Sequence, residues 1–282
     1  MGCTVCEDTG WKAQEQDGIR RVVRCDCWRE QIVRRHLAGA RIPKRYQHCD
    51  LSSFVTYSNE RLARAVVGVA TFAEAFPVVE KGLFLIGPPG IGKSHLAVAA
   101  LKQAIMRGGA HGLFYDVREL LKLIRSTYNP VVKTAEMDVL KPVLEADLLV
   151  LDDLGAEKTS EWVEETLNFV VNTRYNERRP TIFTSNYEEK EQTGAGDSLL
   201  ERVGFRIHSR LYEMCEFLEF GGVDYRRFAP KDATSDDLAS LWQQQSMKKP
   251  GGPLPHRSRG QVRAELRDNK AELKWPGGRA GH

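Results

Sequence analysis

The sequence of 282 residues lacks any apolar run long enough to cross a bilayer. A transmembrane helix needs about 20 consecutive, mostly apolar residues, so we expect no membrane span. The start, Met1-Gly2-Cys3, has no basic segment followed by an apolar core, and we therefore expect no secretory signal. These absences predict a cytoplasmic protein without a membrane partner.

An excess of charge of one sign is also lacking, since 41 Lys and Arg face 38 Asp and Glu. The two ends are nevertheless basic. Residues 1–50 hold 10 basic and 7 acidic residues, residues 231–282 hold 10 and 6, and residues 51–230 hold 21 and 25. Basic ends permit contact with nucleic acid, but a solvated charged surface explains them equally well.

Cysteine is scarce, and four of the six cysteines lie near the N-terminus in the pattern C-x-x-C followed by C-x-C. In an intracellular protein such pairs indicate a metal site rather than disulfides. Four thiolates suit tetrahedral Zn²⁺, which would stabilise a segment too small for its own core, although free or redox-active thiols are an alternative. The candidate zinc ligands are Cys3, Cys6, Cys25 and Cys27. We expect Cys49 and Cys215 to be buried, and His36 and His48 to be available only as substitute ligands.

Composition divides the chain into three regions. Residues 1–40 are rich in cysteine and arginine, and Pro43 marks a linker after them. Residues 41–230 alternate helical and strand patterns. Residues 231–282 hold few apolar residues and many Pro and Gly, so we expect a mostly disordered basic tail with a short helix near 234–245.

The middle region predicts an α/β fold, because short apolar runs alternate with amphipathic segments. The predicted strands are 82–86, 112–115, 147–151, 181–184 and 217–220. The predicted helices are 59–79, 93–107, 117–127, 136–145, 160–178, 197–202 and 205–214. This order favours a parallel sheet with helices on both faces.

A phosphate-binding loop follows the first of these strands and matches G-x-x-x-x-G-K-[ST] at every position. Its residues are Gly87, Pro88, Pro89, Gly90, Ile91, Gly92, Lys93 and Ser94. Glycines let successive backbone N–H groups face an anion, and the following helix adds its N-terminal dipole. Lys93 is expected to contact the β- and γ-phosphates of ATP, Ser94 to ligate Mg²⁺, and His95 to line the nucleotide site.

Two carboxylates, Asp152 and Asp153, follow a predicted buried strand about 60 residues beyond this loop. Alone, such a pair is more often a turn or a helix cap. Together with the phosphate-binding loop, it predicts that Asp152 holds Mg²⁺ and that Asp153 is the general base for the attacking water. Asn186, which ends the next predicted strand, is expected to orient that water.

These motifs, with the runs Thr184-Ser185-Asn186, Arg206 to Leu211 and Asp224 to Arg227, resemble the AAA+ ATPases of the bacterial helicase-loader class, DnaC and DnaI, and their transposition relative IstB. The likeness covers residues 40–230. It implies an ATPase with a sheet of five parallel strands between helices, a lid that is reduced or absent, and a small zinc-binding module at the N-terminus.

The resemblance also implies roles for three arginines. Arg210 matches the arginine finger, which would reach the γ-phosphate bound by a neighbouring subunit, so that hydrolysis requires self-assembly into an oligomer. Arg206 is a competing candidate for the finger. Arg226 matches the sensor-2 arginine, which would contact phosphate within the same subunit.

Partners follow from the resemblance as well. DnaI-type loaders carry a zinc domain that docks on the replicative helicase, so residues 1–40 are expected to form a partner-docking module. The helical segment from Trp28 to Leu37 would contribute to that docking, or its arginines would contact DNA. A surface for single-stranded DNA is expected on the segment that contains Arg118, Lys122, Arg125 and Tyr128.

The leading hypothesis is therefore an ATP-dependent loader of a hexameric helicase in DNA replication. The alternative is an IstB-like ATPase helper of a DNA transposase. A protein that holds ATP as a switch without turnover conflicts with the presence of both aspartates and both candidate finger arginines. A small-molecule kinase conflicts with the lack of a lid or substrate-pocket signature.

Overall fold

We describe a computed structural model of the chain. The residues it describes are 3–7, 9–16, 19–57, 59–129, 135–157, 160–187, 198–228 and 234–247. Most of them belong to an α/β domain whose five-stranded sheet is parallel throughout, with strand order β4-β5-β6-β3-β7. The strands are β3 (Gly82–Ile86), β4 (Gly112–Asp116), β5 (Leu148–Asp152), β6 (Thr181–Ser185) and β7 (Cys215–Glu219).

Helices cover both faces of this sheet. They are α2 (Glu60–Ala75), α3 (Lys93–Gly108), α4 (Val117–Ser126), α5 (Glu136–Glu145), α6 (Glu161–Asn176), α7 (Leu199–Val203) and α8 (Phe205–Met214). Side chains alternate along β3, so Leu83 and Leu85 pack with α2 and α3 on one face. Phe84 and Ile86 pack with the remaining helices on the other face. The predicted α/β fold with a five-stranded parallel sheet is confirmed.

The element bounds agree closely with the sequence pattern, with two differences. The predicted helix 59–79 ends at Ala75, because Pro77 lacks an N–H and Phe76 already has extended backbone angles. The last strand begins at Cys215 rather than at residue 217. Its register pairs Cys215 with Gly82, so the whole of β7 lies along β3.

The N-terminal module contains an antiparallel hairpin that the sequence pattern did not predict. Strands β1 (Trp11–Gln16) and β2 (Ile19–Arg24) pair over their full length, and helix α1 (Asp26–Gly39) follows directly. The hairpin escaped prediction because seven of its twelve strand residues are charged or polar and β1 has no β-branched residue. We call residues 3–39 the zinc module below.

Helix α1 contacts the C-terminal end of α3. Arg29 donates to the Arg107 carbonyl oxygen at 3.1 Å. The Nδ1 atom of His36 lies 2.9 and 3.0 Å from the carbonyl oxygens of Gly109 and Ala110. Carbonyl groups at a helix end lack partners within the helix, so these side chains satisfy them. The zinc module is thereby attached to the α/β domain by polar contacts.

A buried arginine joins the ends of α5 and α6 to the sheet. Arg174 is 1% exposed, and its guanidinium donates to four backbone carbonyl oxygens and to the Thr181 hydroxyl. The carbonyl acceptors are those of Val143, Leu144, Ala146 and Pro180, at 2.7–3.2 Å. Burial lowers the pKa of Arg174 to about 9, because it removes the cation from water.

Two helices follow the last strand of the sheet, α9 (Tyr225–Phe228) and α10 (Ser235–Met247). The described part of the chain contains no helical bundle after the sheet, in agreement with a reduced lid. The short helix expected near 234–245 is α10, whereas the rest of the predicted disordered tail, residues 231–233 and 248–282, lies outside the described residues. Among the described residues, no helix combines the length and apolarity that a bilayer crossing demands.

Candidate functional site

The phosphate-binding loop connects the central strand β3 to the N-terminus of α3. Gly87, Gly90 and Gly92 all have positive φ, at 147°, 83° and 99°. A side chain at Gly87 would also collide with the Phe220 carbonyl oxygen. Only glycine satisfies both conditions, so the loop can curl its backbone N–H groups inward above the helix terminus. The geometry expected of an anion site is present.

Lys93 lies at the centre of the loop and is 5% exposed. Its Nζ atom donates to the carbonyl oxygens of Gly87 and Pro88, at 2.7 and 2.8 Å, and to Oδ1 of Asn186 at 2.7 Å. Burial lowers the pKa of Lys93 to about 8, although Asp153 and Asp152 act in the opposite direction. The Lys93 ammonium group is therefore desolvated, at a position where a phosphate oxyanion would stabilise its charge.

Asp152 ends β5 and is also buried, at 6% exposure. It accepts a hydrogen bond from the Thr184 hydroxyl at 2.7 Å, and the Ser94 hydroxyl lies near enough to lower its pKa. Burial raises the pKa of Asp152 above its ordinary value, with these two hydroxyls acting against the rise. A carboxylate and a hydroxyl are hard oxygen ligands, so the Ser94–Asp152 pair fits Mg²⁺.

Asp153 has φ of 64°, in the left-handed region that asparagine and aspartate tolerate better than most residues. Two contacts hold it there. Its backbone N–H donates to the Thr184 hydroxyl at 3.0 Å, and its carboxylate accepts from Nδ2 of Asn186. Because Asn186 also accepts from Lys93, one amide joins the lysine to the carboxylate. The structure thus brings together Lys93, Asp153 and Asn186, which the sequence had placed on three different segments.

A cavity of about 640 Å³ opens beside this group. One of its walls is the linker between α1 and α2, which the sequence pattern did not assign to the site. The linker residues that line it are Arg45, Tyr46, His48, Cys49, Ser53, Phe54, Val55 and Tyr57. A side chain on Gly92 would collide with the Phe54 ring, so the linker packs directly on the phosphate-binding loop. The clustered aromatics of residues 46–57 are the one sequence signal that could have revealed this wall.

His95 belongs to the linker wall rather than to the phosphate end. Its Nε2 atom lies 3.0 Å from the Asp50 carbonyl oxygen and 3.3 Å from the Ser53 hydroxyl. Its ring meets the Phe54 ring edge-on at 5.3 Å. Burial lowers the pKa of His95, so the neutral imidazole is favoured at this position.

The opposite wall comes from the C-terminal segment. The Tyr225 N–H donates to the Gly90 carbonyl oxygen at 3.0 Å, and a side chain at Gly90 would collide with the Asp224 carboxylate. Arg226 and Leu238 also line the cavity, and Leu238 of α10 is only 1% exposed. Arg226 therefore lies in the same cavity as Lys93, whose pKa its charge helps to lower.

The two candidate finger arginines lie outside the cavity lining of their own chain. Arg210 is half-buried on α8, where Nη1 donates to the Arg206 carbonyl oxygen at 3.0 Å. Its guanidinium carbon lies 5.8 Å from the centre of the Tyr175 ring. Arg206 is exposed, next to Phe205, whose ring is 75% exposed.

Four cysteine sulfurs converge at the base of the hairpin. The Sγ atoms of Cys3, Cys6, Cys25 and Cys27 all lie within 4.8 Å of one another. Two of the pairs, Cys3–Cys25 and Cys6–Cys27, are 3.8 and 3.3 Å apart. Tetrahedral zinc with Zn–S bonds of about 2.3 Å sets its sulfurs about 3.8 Å apart, so the donor set fits Zn²⁺. Backbone N–H groups of Val5 and Cys6 lower the pKa of Cys3 to about 7, which favours a thiolate.

The remaining cysteines are buried and separate from this cluster, as expected. Cys49 and Cys215 are each 2% exposed. Neither expected substitute ligand is in the sulfur cluster either, because His36 contacts the end of α3 and His48 packs near His95.

The expected DNA surface on α4 contains a side chain that the sequence did not indicate. The guanidinium of Arg125 lies over the Trp162 ring at 4.4 Å, and Trp162 Nε1 donates to the Tyr128 hydroxyl at 3.3 Å. Lys122 is exposed, whereas Arg118 lies 4.0 Å from Glu157. Leu120, Leu121 and Ile124 are buried on the other side of the helix. Trp162 comes from α6, so only the tertiary fold could bring it here.

Comparison with known proteins gives a consistent picture. The family model described as "IstB-like ATP binding protein" matches residues 21–233. The phage-like element PBSX protein XkdC of Bacillus subtilis strain 168 is 25% identical over 223 residues, which cover 76% of this chain and 79% of that protein. The replicative helicase loader DnaC of Escherichia coli strain K12 is 25% identical over 159 residues, which cover 56% of this chain and 64% of that loader.

The fold comparison points the same way. A crystal structure of the DnaC helicase loader superimposes with a TM-score of 0.56 and 34% sequence identity. The superposition covers 64% of this chain and 100% of that chain. The fold therefore agrees with what the sequence alone had implied.

Proposed function

This chain belongs to the family of IstB-like ATP-binding proteins, and from that premise we propose that it delivers a hexameric replicative helicase onto single-stranded DNA under the control of ATP. The resemblance to AAA+ helicase loaders is confirmed, and the chain carries the ATPase domain of that class. The observation that carries the proposal is the 34% identity to a DnaC helicase loader over the whole of that chain.

The nucleotide site supports the ATPase step. In our proposal Lys93 neutralises the β- and γ-phosphates, and the backbone N–H groups of residues 87–94 surround them. Ser94 and Asp152 hold Mg²⁺, which supplies positive charge against the phosphate oxygens. Asp153 accepts the proton of the attacking water, while Asn186 fixes that water in position. Arg226 acts on the phosphates within the same subunit.

Hydrolysis requires a second copy of the chain in this proposal. Arg210 supplies a guanidinium to the γ-phosphate bound by its neighbour, where it stabilises charge that develops in the transition state. Its position outside its own cavity supports a role in trans. Arg206 is the competing finger, and it lies one helical turn away on α8.

Single-stranded DNA would bind the α4 surface. Lys122 and Arg125 would follow the phosphates, while the aromatic pair Tyr128 and Trp162 would stack on bases. The two rings lie 6.3 Å apart in an edge-on arrangement, which leaves part of Tyr128 exposed. Arg118 would contribute if its ion pair with Glu157 opened.

The zinc module would act as the partner-docking unit. Cys3, Cys6, Cys25 and Cys27 would hold one Zn²⁺, which supplies structural stability rather than chemistry. The proposed division is residues 1–40 for docking, residues 41–230 for ATP hydrolysis, and residues 231–282 as a basic tail. The contacts of α1 with α3 support transmission of force from the docked helicase to the ATPase domain.

The family match also supports a second candidate, an ATPase helper of a DNA transposase. Such a helper would act on duplex DNA and bind a transposase, whereas a loader acts on single strands and binds a helicase. The ligand preference and the identity of the copurified enzyme therefore separate the two candidates.

A loading assay tests the proposal directly. The chain, its host replicative helicase and ATP are mixed with circular single-stranded DNA coated by single-strand-binding protein, and helicase retained on the circle is measured. We expect loading with the intact chain, loss with Lys93→Ala, and loss of helicase pull-down after removal of residues 1–45. Helicase binding that survives this removal would contradict the docking role, and recovery of a transposase instead of a helicase would favour the second candidate.

Mixing of variants tests the finger in trans. Arg210→Ala should bind ATP normally but lose hydrolysis by about 1,000-fold or more, the usual effect of removing an arginine finger. Asp153→Ala should also be inactive, and a mixture of the two should recover part of the activity, because mixed neighbours pair an intact base with an intact finger. Arg206→Ala is the matched control and should stay active. If Arg206→Ala loses hydrolysis instead and complements Asp153→Ala, then Arg206 is the finger.

A further inference from the structure

The outer face of the N-terminal hairpin carries exposed apolar and aromatic side chains. The strand register sets Trp11 opposite Arg24 and Ala13 opposite Val22, and opposite residues in an antiparallel pair project on the same side. Val22 is 70% exposed and Trp11 is 49% exposed. Large apolar side chains that cluster on a surface usually mark an interaction site.

Trp11 and Trp28 both contact Arg24. The Arg24 guanidinium carbon lies over each indole ring, 4.8 Å from its centre. Trp28 comes from the first turn of α1, and the stack therefore continues from the hairpin onto the helix. Cation–π contacts of this geometry fix the orientation of both rings.

Structural support alone does not account for this stack. The zinc module has little core, since α1 has no buried residue and only Cys6 and Cys25 are buried between residues 3 and 39 among those whose exposure is described. If the two tryptophans only supported the fold, they would need only the indole surface that contacts Arg24. Trp11 and Trp28 are nevertheless 49% and 42% exposed to solvent.

Strand β2, which carries Arg24, holds three arginines and no acidic residue. The exposed arginines of the described zinc module are Arg20, Arg21, Arg24, Arg29, Arg34 and Arg35. Of its acidic residues, Asp26 accepts from Lys12 at 2.6 Å, Glu30 lies 3.9 Å from Arg34, and Glu15 lies opposite Arg20 in the strand register. Arg20 and Arg24 project on the same side of the hairpin, where their charge attracts a polyanion.

We propose that this face of the hairpin, centred on Trp11, Arg24 and Trp28, is a second binding surface for single-stranded nucleic acid. Bases stack on the exposed indole surfaces, and Arg20, which the strand register places on the same side as Arg24, contacts the phosphates. Sequence-independent binding of single strands combines these two elements, aromatic platforms and a basic track. The surface lies on a different region of the chain from the α4 surface, so its existence does not depend on that proposal.

An acidic protein segment is the competing occupant, because it would meet the same charges. Nucleic acid is favoured by the presence of two partly exposed indole rings that both contact one guanidinium. Protein partners usually bury aromatic anchors in a fitted pocket, whereas bases need only an open ring face. Removal of the two rings should weaken binding of nucleic acid if that is the occupant, and binding of the protein partner if an acidic segment is.

The test measures binding of a fluorescein-labelled 20-nucleotide oligothymidylate to the full chain by fluorescence anisotropy. The double variant Trp11→Ala/Trp28→Ala should bind the oligonucleotide about 10- to 100-fold more weakly, as expected for loss of base stacking. Trp11→Phe/Trp28→Phe keeps aromatic faces and should retain most of the affinity. Trp162→Ala serves as the matched variant on the α4 surface and reports on that surface separately.

A salt titration supplies a second readout that a folding defect in the tryptophan variant cannot mimic. Arg20→Gln should reduce the slope of log affinity against log salt by about 0.7 for the lost phosphate contact. Zinc content and ATP binding should be unchanged in this variant and in the tryptophan double variants. Unchanged affinity in the alanine variant, an unchanged slope in the glutamine variant, or loss of helicase pull-down with full oligonucleotide binding would each overturn the proposal.

Discussion

The α/β domain and the zinc module differ in where their functional side chains lie. In the α/β domain, Lys93 and Asp152 are buried near the C-terminal ends of inner strands, in a sheet whose two faces are covered by helices. In the zinc module, Trp11, Arg24 and Trp28 are exposed, and the buried atoms are chiefly cysteine sulfurs. The comparison teaches that a large apolar core can hold desolvated charges in position, whereas a small module needs another source of stability, which a metal held by the four cysteines would supply.

Of the changes considered, removal of a zinc ligand should have the largest effect, and it should unfold one region while leaving the other folded. We expect Cys25→Ser to lose most of its zinc and the structure of the hairpin and α1, because structural zinc supplies about 10–16 kcal/mol of apparent binding free energy in such modules. The α/β domain should stay folded. Metal analysis together with hydrogen exchange of residues 3–39 checks both statements.

The matched control is Cys49→Ser, which alters a buried cysteine outside the sulfur cluster. It should keep about one zinc per chain. A Cys25→Ser protein with full zinc and a protected hairpin would show that the module folds without the metal.

Loss of the buried arginine should be the next largest effect, this time in the α/β domain. Arg174→Met leaves four carbonyl oxygens and the Thr181 hydroxyl without their donor, and should lower the free energy of unfolding by roughly 3–5 kcal/mol. Urea unfolding followed by circular dichroism measures the change. Lys141→Met, which removes an exposed lysine 4.0 Å from Glu145, is the control and should have little effect. Equal unfolding midpoints for Arg174→Met and the intact chain would contradict the role of these hydrogen bonds.

A smaller effect is expected from pH at the nucleotide site. The pKa of Lys93 is about 8 without nucleotide, so below pH 8 the ammonium that phosphate needs is already present. Above pH 8, ATP binding must take up a proton, and affinity should fall by up to about tenfold per pH unit until the pKa of the bound state is reached. Calorimetry at pH 7, 8 and 9 in buffers of different ionisation enthalpy measures both the affinity for ATP and the number of protons taken up on binding.

Lys93→Arg is the control for this prediction, since arginine stays protonated throughout this range. Its affinity is expected to be lower, but the decline between pH 8 and 9 should disappear. An equal decline in both proteins would assign the pH dependence to another group.

The smallest effect should come from an exposed ion pair of the zinc module. Asp26 accepts from Lys12 at 2.6 Å, and the interaction lowers the pKa of Asp26, but the carboxylate is 88% exposed. Exposed pairs contribute little, because water screens them. Asp26→Asn should therefore leave zinc content and melting temperature unchanged, and a loss of zinc would show that the pair organises the module.

Much of the α/β domain could be predicted from the sequence because its signals are local. An apolar run followed by a glycine-rich loop and a helix fixes the phosphate-binding loop in one contiguous segment. Helix and strand bounds mostly agreed within about two residues, except where Pro77 ended α2 early. The hairpin of the zinc module was missed, because β1 has no β-branched residue and three of the six residues of β2 are arginines.

The sequence by itself determined the identity of the phosphate-binding residues, the two aspartates and the four cysteines, since each set is defined by short spacing along the chain. Only the tertiary structure decided that residues 45–57 and Leu238 form walls of the nucleotide cavity, that Trp162 contacts Arg125, and that two tryptophans contact Arg24. The physical reason is the range of the interactions. Backbone geometry and metal-ligand spacing are encoded over a few residues, whereas burial and stacking depend on segments that meet only when the sheet and its helices have packed.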